Sequence, residues 1–148
     1  MTPPGITGSC VCERIRYELS GQPIANIICH CDTCRKITGS VFMANSMYMK
    51  ENFKIISGED VLKVYDDKPS GSKNTIHRHF CSNCSSPIYT TSTGTPEYEN
   101  MLTVTSGTMD LGKHSWKPSM ELFCMRRRRF IPPFEGTDQH EKGPQGGF

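Results

Sequence analysis

The chain has 148 residues, a formal net charge of +2, and eight cysteines. Its length suits one domain able to bury its own core. The small charge gives no argument for nucleic acid as a partner, and no apolar stretch approaches the ~20 residues of a membrane helix.

From the N-terminus, MTPPGITGSCVC lacks a basic region followed by an apolar run, so no secretory leader is expected and the cytoplasm is the expected compartment. Thiols stay reduced there, so the cysteines read as metal ligands before disulfides. The first alternating segment is Glu13–Leu19, with Ile15, Tyr17 and Leu19 on one face. Ala25–Ile28 is a short strand running into Cys29. Asp32 and Thr33 are good N-cap types for a short helix in CDTCRKIT that Gly39 ends. Strands follow at Ser40–Met49, Asn52–Gly58 and Asp60–Asp67, the last two around a Gly58-Glu59 turn. Lys68–Asn74 is a loop by composition.

Thr75–Cys81 alternates again and delivers the chain to CSNC, and PIYTTS forms the second arm of a hairpin around it. Met101–Met109 reads as a strand, LGKHSWKPS as a loop, and Met120–Ile131 as a last strand. The expected organisation is one mainly β domain over residues 1–131, with at most one short helix. Residues 132–148, rich in Gly, Pro and polar residues, read as a poorly packed tail.

Seven cysteines fall into three groups: Cys10 and Cys12 in CVC; Cys29, Cys31 and Cys34 in CHCDTC; Cys81 and Cys84 in CSNC. CxxC turns two thiolates toward one ion, and CxC does so from a strand because i and i+2 share a face. Soft thiolates at this spacing select zinc. Seven ligands divide most economically into a closed four-cysteine site (Cys10, Cys12, Cys81, Cys84) and an open three-cysteine site (Cys29, Cys31, Cys34), so two zinc ions per chain are expected. The closed set is the structural kind, and three protein ligands with an exchangeable fourth position is the catalytic kind. A rival division gives the fourth position to Cys124 or a histidine. Cys124 reads better as packing, and His77 and His79 as polar support around a ligand. Alternation turns His30 away from an ion held by its neighbours, leaving proton transfer as its possible task. His114 and His140 receive no role.

Three thiolates on a zinc dication leave a net charge of −1, which favours a further soft ligand over hydroxide generation. The natural guest is an external thiol, held as thiolate. Such a thiolate can attack an aldehyde carbonyl or leave when a carbon–sulfur bond breaks.

The ordered set GSCVCERIRYEL, CHCDTCRKITGSVF, FKIISGE, FCSNCSSPIY and GTMD, followed by a Pro and a basic segment, resembles the glutathione-dependent formaldehyde-activating enzyme family over roughly Gly8 to Phe130. That resemblance implies a β-tent, in which small antiparallel sheets fold around zinc, and the same division of ligands. It also implies a carbon–sulfur lyase resembling S-(hydroxymethyl)glutathione synthase, with a small-molecule thiol or a thiol adduct such as a glutathione conjugate as partner. Glu13 and Ser85 stand where the family usually has Gly, after CxC and after CxxC, and Phe130 stands where Trp is common. A related lyase of specialised metabolism acting on a different small molecule is a second reading. A non-catalytic zinc-stapled binding module is a third, separated from the others by the vacancy at the second zinc.

Arg35 and Lys36, next to Cys34, are candidates for holding an anionic substrate, and Phe42 and Trp116 for walls of its pocket. Arg126–Arg129, on the expected last strand, would place two arginines on each face, one pair of which could bind carboxylates.

Overall fold

The computed structural model describes residues 5–112 and 116–143. The chain is mainly β. In order it forms β1 (Ile6–Ser9), β2 (Arg16–Leu19), β3 (Ala25–Cys29), α1 (Asp32–Thr38), β4 (Met43–Met49), β5 (Phe53–Ser57), β6 (Leu62–Asp67), β7 (Thr75–Cys81), β8 (Pro87–Thr93), α2 (Pro96–Glu99), β9 (Met101–Thr105), β10 (Met120–Leu122) and β11 (Asp138–Gln139). β1, β2 and β5 make a small antiparallel sheet. The other eight strands form one sheet in the order β11-β10-β3-β4-β9-β8-β7-β6. β10 pairs in parallel with both β3 and β11, and the remaining pairs are antiparallel.

Strand alternation gives the large sheet two different faces. Tyr48, Ile88, Leu102 and Val104 point to one side, where Tyr17 and Leu19 of the small sheet join them around Cys10 and Cys81. On the other side lie Ile27, Met43, Met47 and Leu122 with Cys29 and Cys34. Each cysteine group is therefore embedded in its own apolar cluster. Gly58, at φ 88°, carries the chain from β5 toward β6, and a Cβ there would meet the Arg14 carbonyl oxygen at 2.3 Å.

Four local readings need correction. β1 pairs with β2 through Ile6↔Leu19 to Ser9↔Arg16, though ITGS shows little alternation to announce it. α1 is capped by Cys31, not by Asp32 or Thr33: Cys31 is extended (φ −63°, ψ 155°) and its sulfur accepts from the Cys34 N–H. Asp32 instead lies in the first helical turn, paired with Arg35, and Gly39 ends the helix in the left-handed region as expected.

The expected strand Met120–Ile131 stops at Leu122. Phe123 turns left-handed at φ 55° and a 3₁₀ turn follows over Cys124–Arg126. Arg126–Arg129 therefore do not alternate across a strand. Arg126, Arg128 and Arg129 are exposed, while Arg127 turns in to Glu121.

The C-terminal segment, as far as it is described, is tied to the sheet by hydrogen bonds, although most of its residues stay exposed. Glu121 is fully buried on β10 and needs partners. It accepts hydrogen bonds from the Phe134 N–H (2.8 Å), the Thr137 hydroxyl (3.0 Å) and the Gln139 side-chain amide. Those bonds draw residues 134–139 against the sheet, where β11 adds a strand. His140 donates its backbone N–H to the Glu121 carbonyl. His114 and residues 144–148 lie outside the described residues.

Candidate metal centres and the cavity beside them

The four sulfurs of Cys10, Cys12, Cys81 and Cys84 lie within 4.8 Å of one another. Cys10 Sγ is 3.5 Å from Cys12 Sγ, which is 3.8 Å from Cys81 Sγ. A tetrahedral ion with sulfurs at about 2.3 Å sets sulfur–sulfur distances of about 3.8 Å, so the set fits zinc. Two tight turns present these ligands. In the first, the Ile15 N–H donates to Cys10 Sγ at 3.3 Å. In the second, the Ser86 hydroxyl sits 3.2 Å from Cys84 Sγ and accepts from the Val11 N–H, so it ties one turn to the other.

Both turns need a left-handed residue after the last cysteine, and both have it: Glu13 at φ 61° and Ser85 at φ 63°. These are the two positions where the family pattern has Gly. A side chain in this region costs about 1–2 kcal/mol, part of which glycine returns through its freer unfolded chain. Ser85→Gly is expected to stabilise the protein by about 0.5–1 kcal/mol, seen as a melting temperature higher by a few degrees. Glu13→Gly should gain less, because Glu13 also holds Arg16 in an exposed pair at 3.0 Å.

Cys29, Cys31 and Cys34 form a second group whose sulfurs also lie within 4.8 Å of one another. β3 ends at Cys29, His30 makes the corner, Cys31 caps α1, and Cys34 closes its first turn. This group fits a thiophilic ion through three sulfurs. Among the described residues no further His, Cys, Asp or Glu joins it. Hydrogen bonds from Cys29 and Cys34 hold the Cys31 thiol down to about 3 despite its burial, and Arg78 adds to the effect. Cys29 is pushed far up, because its thiol is held in hydrogen bonds to Cys31 and Cys34 and is buried.

A cavity of about 230 Å³ opens beside this second group. Its floor is a cross-strand row of the large sheet: Arg78 on β7 pairs with Thr90 on β8, Thr90 with Thr103 on β9, and Thr103 with Met47 on β4. A second row, Leu122–Cys29–Met43, carries the ligand strand into the same wall. Asp67, on β6, accepts from Arg78 Nε at 2.9 Å and is also 2.9 Å from Arg78 Nη2.

The other candidates lie elsewhere. Arg35 binds Asp32 and the Arg126 carbonyl (2.5 Å), Lys36 is exposed, and neither lines the cavity. Phe42 packs edge-on between His30 and Phe134, with centroids 5.8 and 5.7 Å away. Trp116 donates from Nε1 to the Ser46 hydroxyl at 2.8 Å. Cys124 joins neither sulfur group. Its Sγ donates to the Glu121 carbonyl at 3.6 Å. His77 pairs with Asp66, and His79 stacks on Tyr89 at 4.1 Å.

Two residues near the site escaped the sequence reading. Arg78 sits between His77 and His79, which drew attention from it, yet it shares a strand face with Ile76, another residue of the cavity wall. Glu121 lies inside an apolar run and is the sole carboxylate among the fully buried side chains of the described residues. His30 Nε2 donates to Glu121 Oε1 at 2.8 Å, so the histidine between the two ligands is anchored away from the sulfur group. Burial would raise the Glu121 carboxyl, but hydrogen bonds from Gln139, His30, the Phe134 N–H and Thr137 outweigh it and hold it at about 2.

Comparison with known proteins agrees with this architecture. A solved structure of a Rhodobacter sphaeroides protein superposes with a TM-score of 0.56 at 14% identity, covering 72% of this chain and 89% of that one. A Halomonas elongata protein assigned by name to glutathione-dependent formaldehyde-activating enzymes is 28% identical over 85 residues, 57% of this chain and 54% of the relative. An uncharacterized lyase of Schizosaccharomyces pombe is 31% identical over 86 residues, 58% of this chain and 57% of the relative. The matches thus span little more than half the length of these two relatives. Residues 5–126 match the family profile described as glutathione-dependent formaldehyde-activating enzyme, a span that contains both cysteine groups and every residue of the cavity wall. The chain belongs to the glutathione-dependent formaldehyde-activating enzyme family.

Proposed function

We propose that this chain is a zinc-dependent carbon–sulfur lyase acting on a thiol adduct, resembling S-(hydroxymethyl)glutathione synthase. In this reading Cys10, Cys12, Cys81 and Cys84 hold a structural zinc, and Cys29, Cys31 and Cys34 hold a catalytic one. The observation that carries it is a set of three cysteines, not four, in the wall of a cavity. A zinc ion bound by three thiolates supplies a fourth position for a soft ligand and stabilises a substrate sulfur as thiolate there. Family membership supports this reading, since the family description names glutathione and formaldehyde activation.

The chain's own residues define the rest. Cys31 and Cys34 are fixed by the first turn of α1, and Cys29 by the β3 ladder, so the sulfurs meet a guest without rearranging. In the lyase direction the carbon–sulfur bond breaks with its electron pair remaining on sulfur. The adduct's hydroxyl gives its proton to water and becomes the carbonyl oxygen, so the products are thiolate, aldehyde and a solvated proton. Apolar side chains of the wall hold water back from that carbon. The test is Cys31→Ser. Its far-UV circular dichroism should match wild type, while adduct formation from formaldehyde and a thiol, followed by NMR, should fall at least a hundredfold toward the uncatalysed rate. Cys31→Ser protein that retained full activity would overturn the assignment.

A further inference from the structure

The cavity beside the three cysteines contains two charged side chains besides the sulfurs, Asp67 and Arg78, and they face each other. Both are largely buried, at 15% and 14% exposure. Asp67 Oδ2 meets both Nε and Nη2 of Arg78, so one carboxylate oxygen occupies one edge of the guanidinium. The pair sums to zero. Three thiolates on a divalent ion would add −1. Among the described residues, the cavity wall therefore holds no uncompensated positive charge.

Its remaining wall interleaves apolar side chains, chiefly Ile27, Met43, Met47 and Ile76, with uncharged polar ones such as Asn45 and Thr103. The two basic residues nearest the cysteines in sequence do not help. Arg35 is engaged by Asp32 and Arg126, and Lys36 is exposed away from the wall. Glutathione carries two carboxylates and an ammonium. A carboxylate taken into this cavity would lose its water and meet, among the described lining residues, no cation that lacks a carboxylate partner. An uncharged organic body instead buries apolar surface against the methionines and isoleucines.

We propose that the three-cysteine site takes a thiol whose body is uncharged and largely apolar, and that Asp67, by cancelling Arg78, is the residue that sets this preference. The inference rests on the reading of a thiol site at Cys29, Cys31 and Cys34. It departs from the tripeptide that the family description names.

The experiment is calorimetric binding to the zinc-loaded full chain with three probes: 2-phenylethanethiol, mercaptoacetate and glutathione. 2-Phenylethanethiol should bind at least tenfold more tightly than glutathione, and Cys31→Ser should abolish its binding. Asp67→Asn leaves Arg78 unneutralised, so mercaptoacetate should gain at least fivefold in affinity while 2-phenylethanethiol stays within twofold. Arg78→Gln makes the opposite change, and mercaptoacetate should lose at least fivefold. It also keeps the charge argument testable should Asp67→Asn not fold. Glutathione binding as tightly as the apolar thiol overturns the inference. So does a mercaptoacetate affinity within twofold of wild type in whichever variant folds. Failure of all three thiols to bind the wild-type protein overturns the underlying thiol-site reading instead.

Discussion

Cys10→Ser is expected to unfold the protein. Cys10 is 2% exposed and sits in the apolar cluster that joins the two sheets, with its sulfur in contact with Cys12 and with the Ile15 N–H. Sixty-nine residues separate Cys12 from Cys81, so an ion shared by these turns closes a long loop between the start of the chain and its central hairpin. Structural zinc in small domains is worth on the order of 10 kcal/mol, comparable to the whole ~5–15 kcal/mol stability of a typical domain. A serine oxygen is a poor replacement among soft ligands. Circular dichroism should show loss of β structure at 25 °C, and metal analysis of any soluble fraction should show the first zinc missing. A Cys10→Ser protein that melts like wild type would show that the four-cysteine group does not staple the fold.

Glu121→Ala is expected to be the second large loss, about 3–5 kcal/mol, from removing one partner of a buried charged network. It would remove the carboxylate on which His30, Arg127, Thr137, Gln139 and the Phe134 N–H converge, leaving buried His30 Nε2 without this partner. Hydrogen exchange at residues 134–140 should rise far more than at β7 and β8. Acid should reproduce part of the effect. The carboxyl is held at about 2 in the folded chain and returns to about 4.3 when unfolded. The stabilisation is therefore fully present above about pH 4.3 and is lost as the pH falls toward 2, a difference of about 3 kcal/mol. Urea midpoints measured across that interval should drop in wild type. In Glu121→Gln, which cannot ionise, this contribution to the drop should be absent.

What was legible in the sequence was what short-range geometry determines. CxC and CxxC commit two sulfurs to one ion within a few residues, so the ligand groups could be sorted before any tertiary contact was known. Ile15, Tyr17 and Leu19 show a clean period of two because one face of β2 is buried and the other exposed. The segment from Met120 onward is hard to read from sequence because its structure depends on a distant demand. The run MELFCMRRRRFI has Leu, Phe and Ile at intervals that suit a strand, but Glu121 takes most of its donors from residues 127–139, and the backbone leaves the strand at Phe123. A charged residue between Met120 and Leu122 was the one available signal. The substrate wall was missed for a similar reason: neighbours in sequence of Cys34 were weighed, whereas the cavity draws on neighbours across the sheet.

The parallel pairing of β10 between β3 and β11 also bears on how the protein is made. The ladder from β4 through β9 can form while the chain is still being synthesised, since its partners lie within the first 105 residues. Leu122 and Phe123, which complete the cavity, are held by Glu121, whose clamp waits for Gln139 to emerge from the ribosome. The binding chamber is thus the last part of the domain to be assembled. A nascent chain arrested near residue 130 would carry both cysteine groups but lack the residues that clamp Glu121.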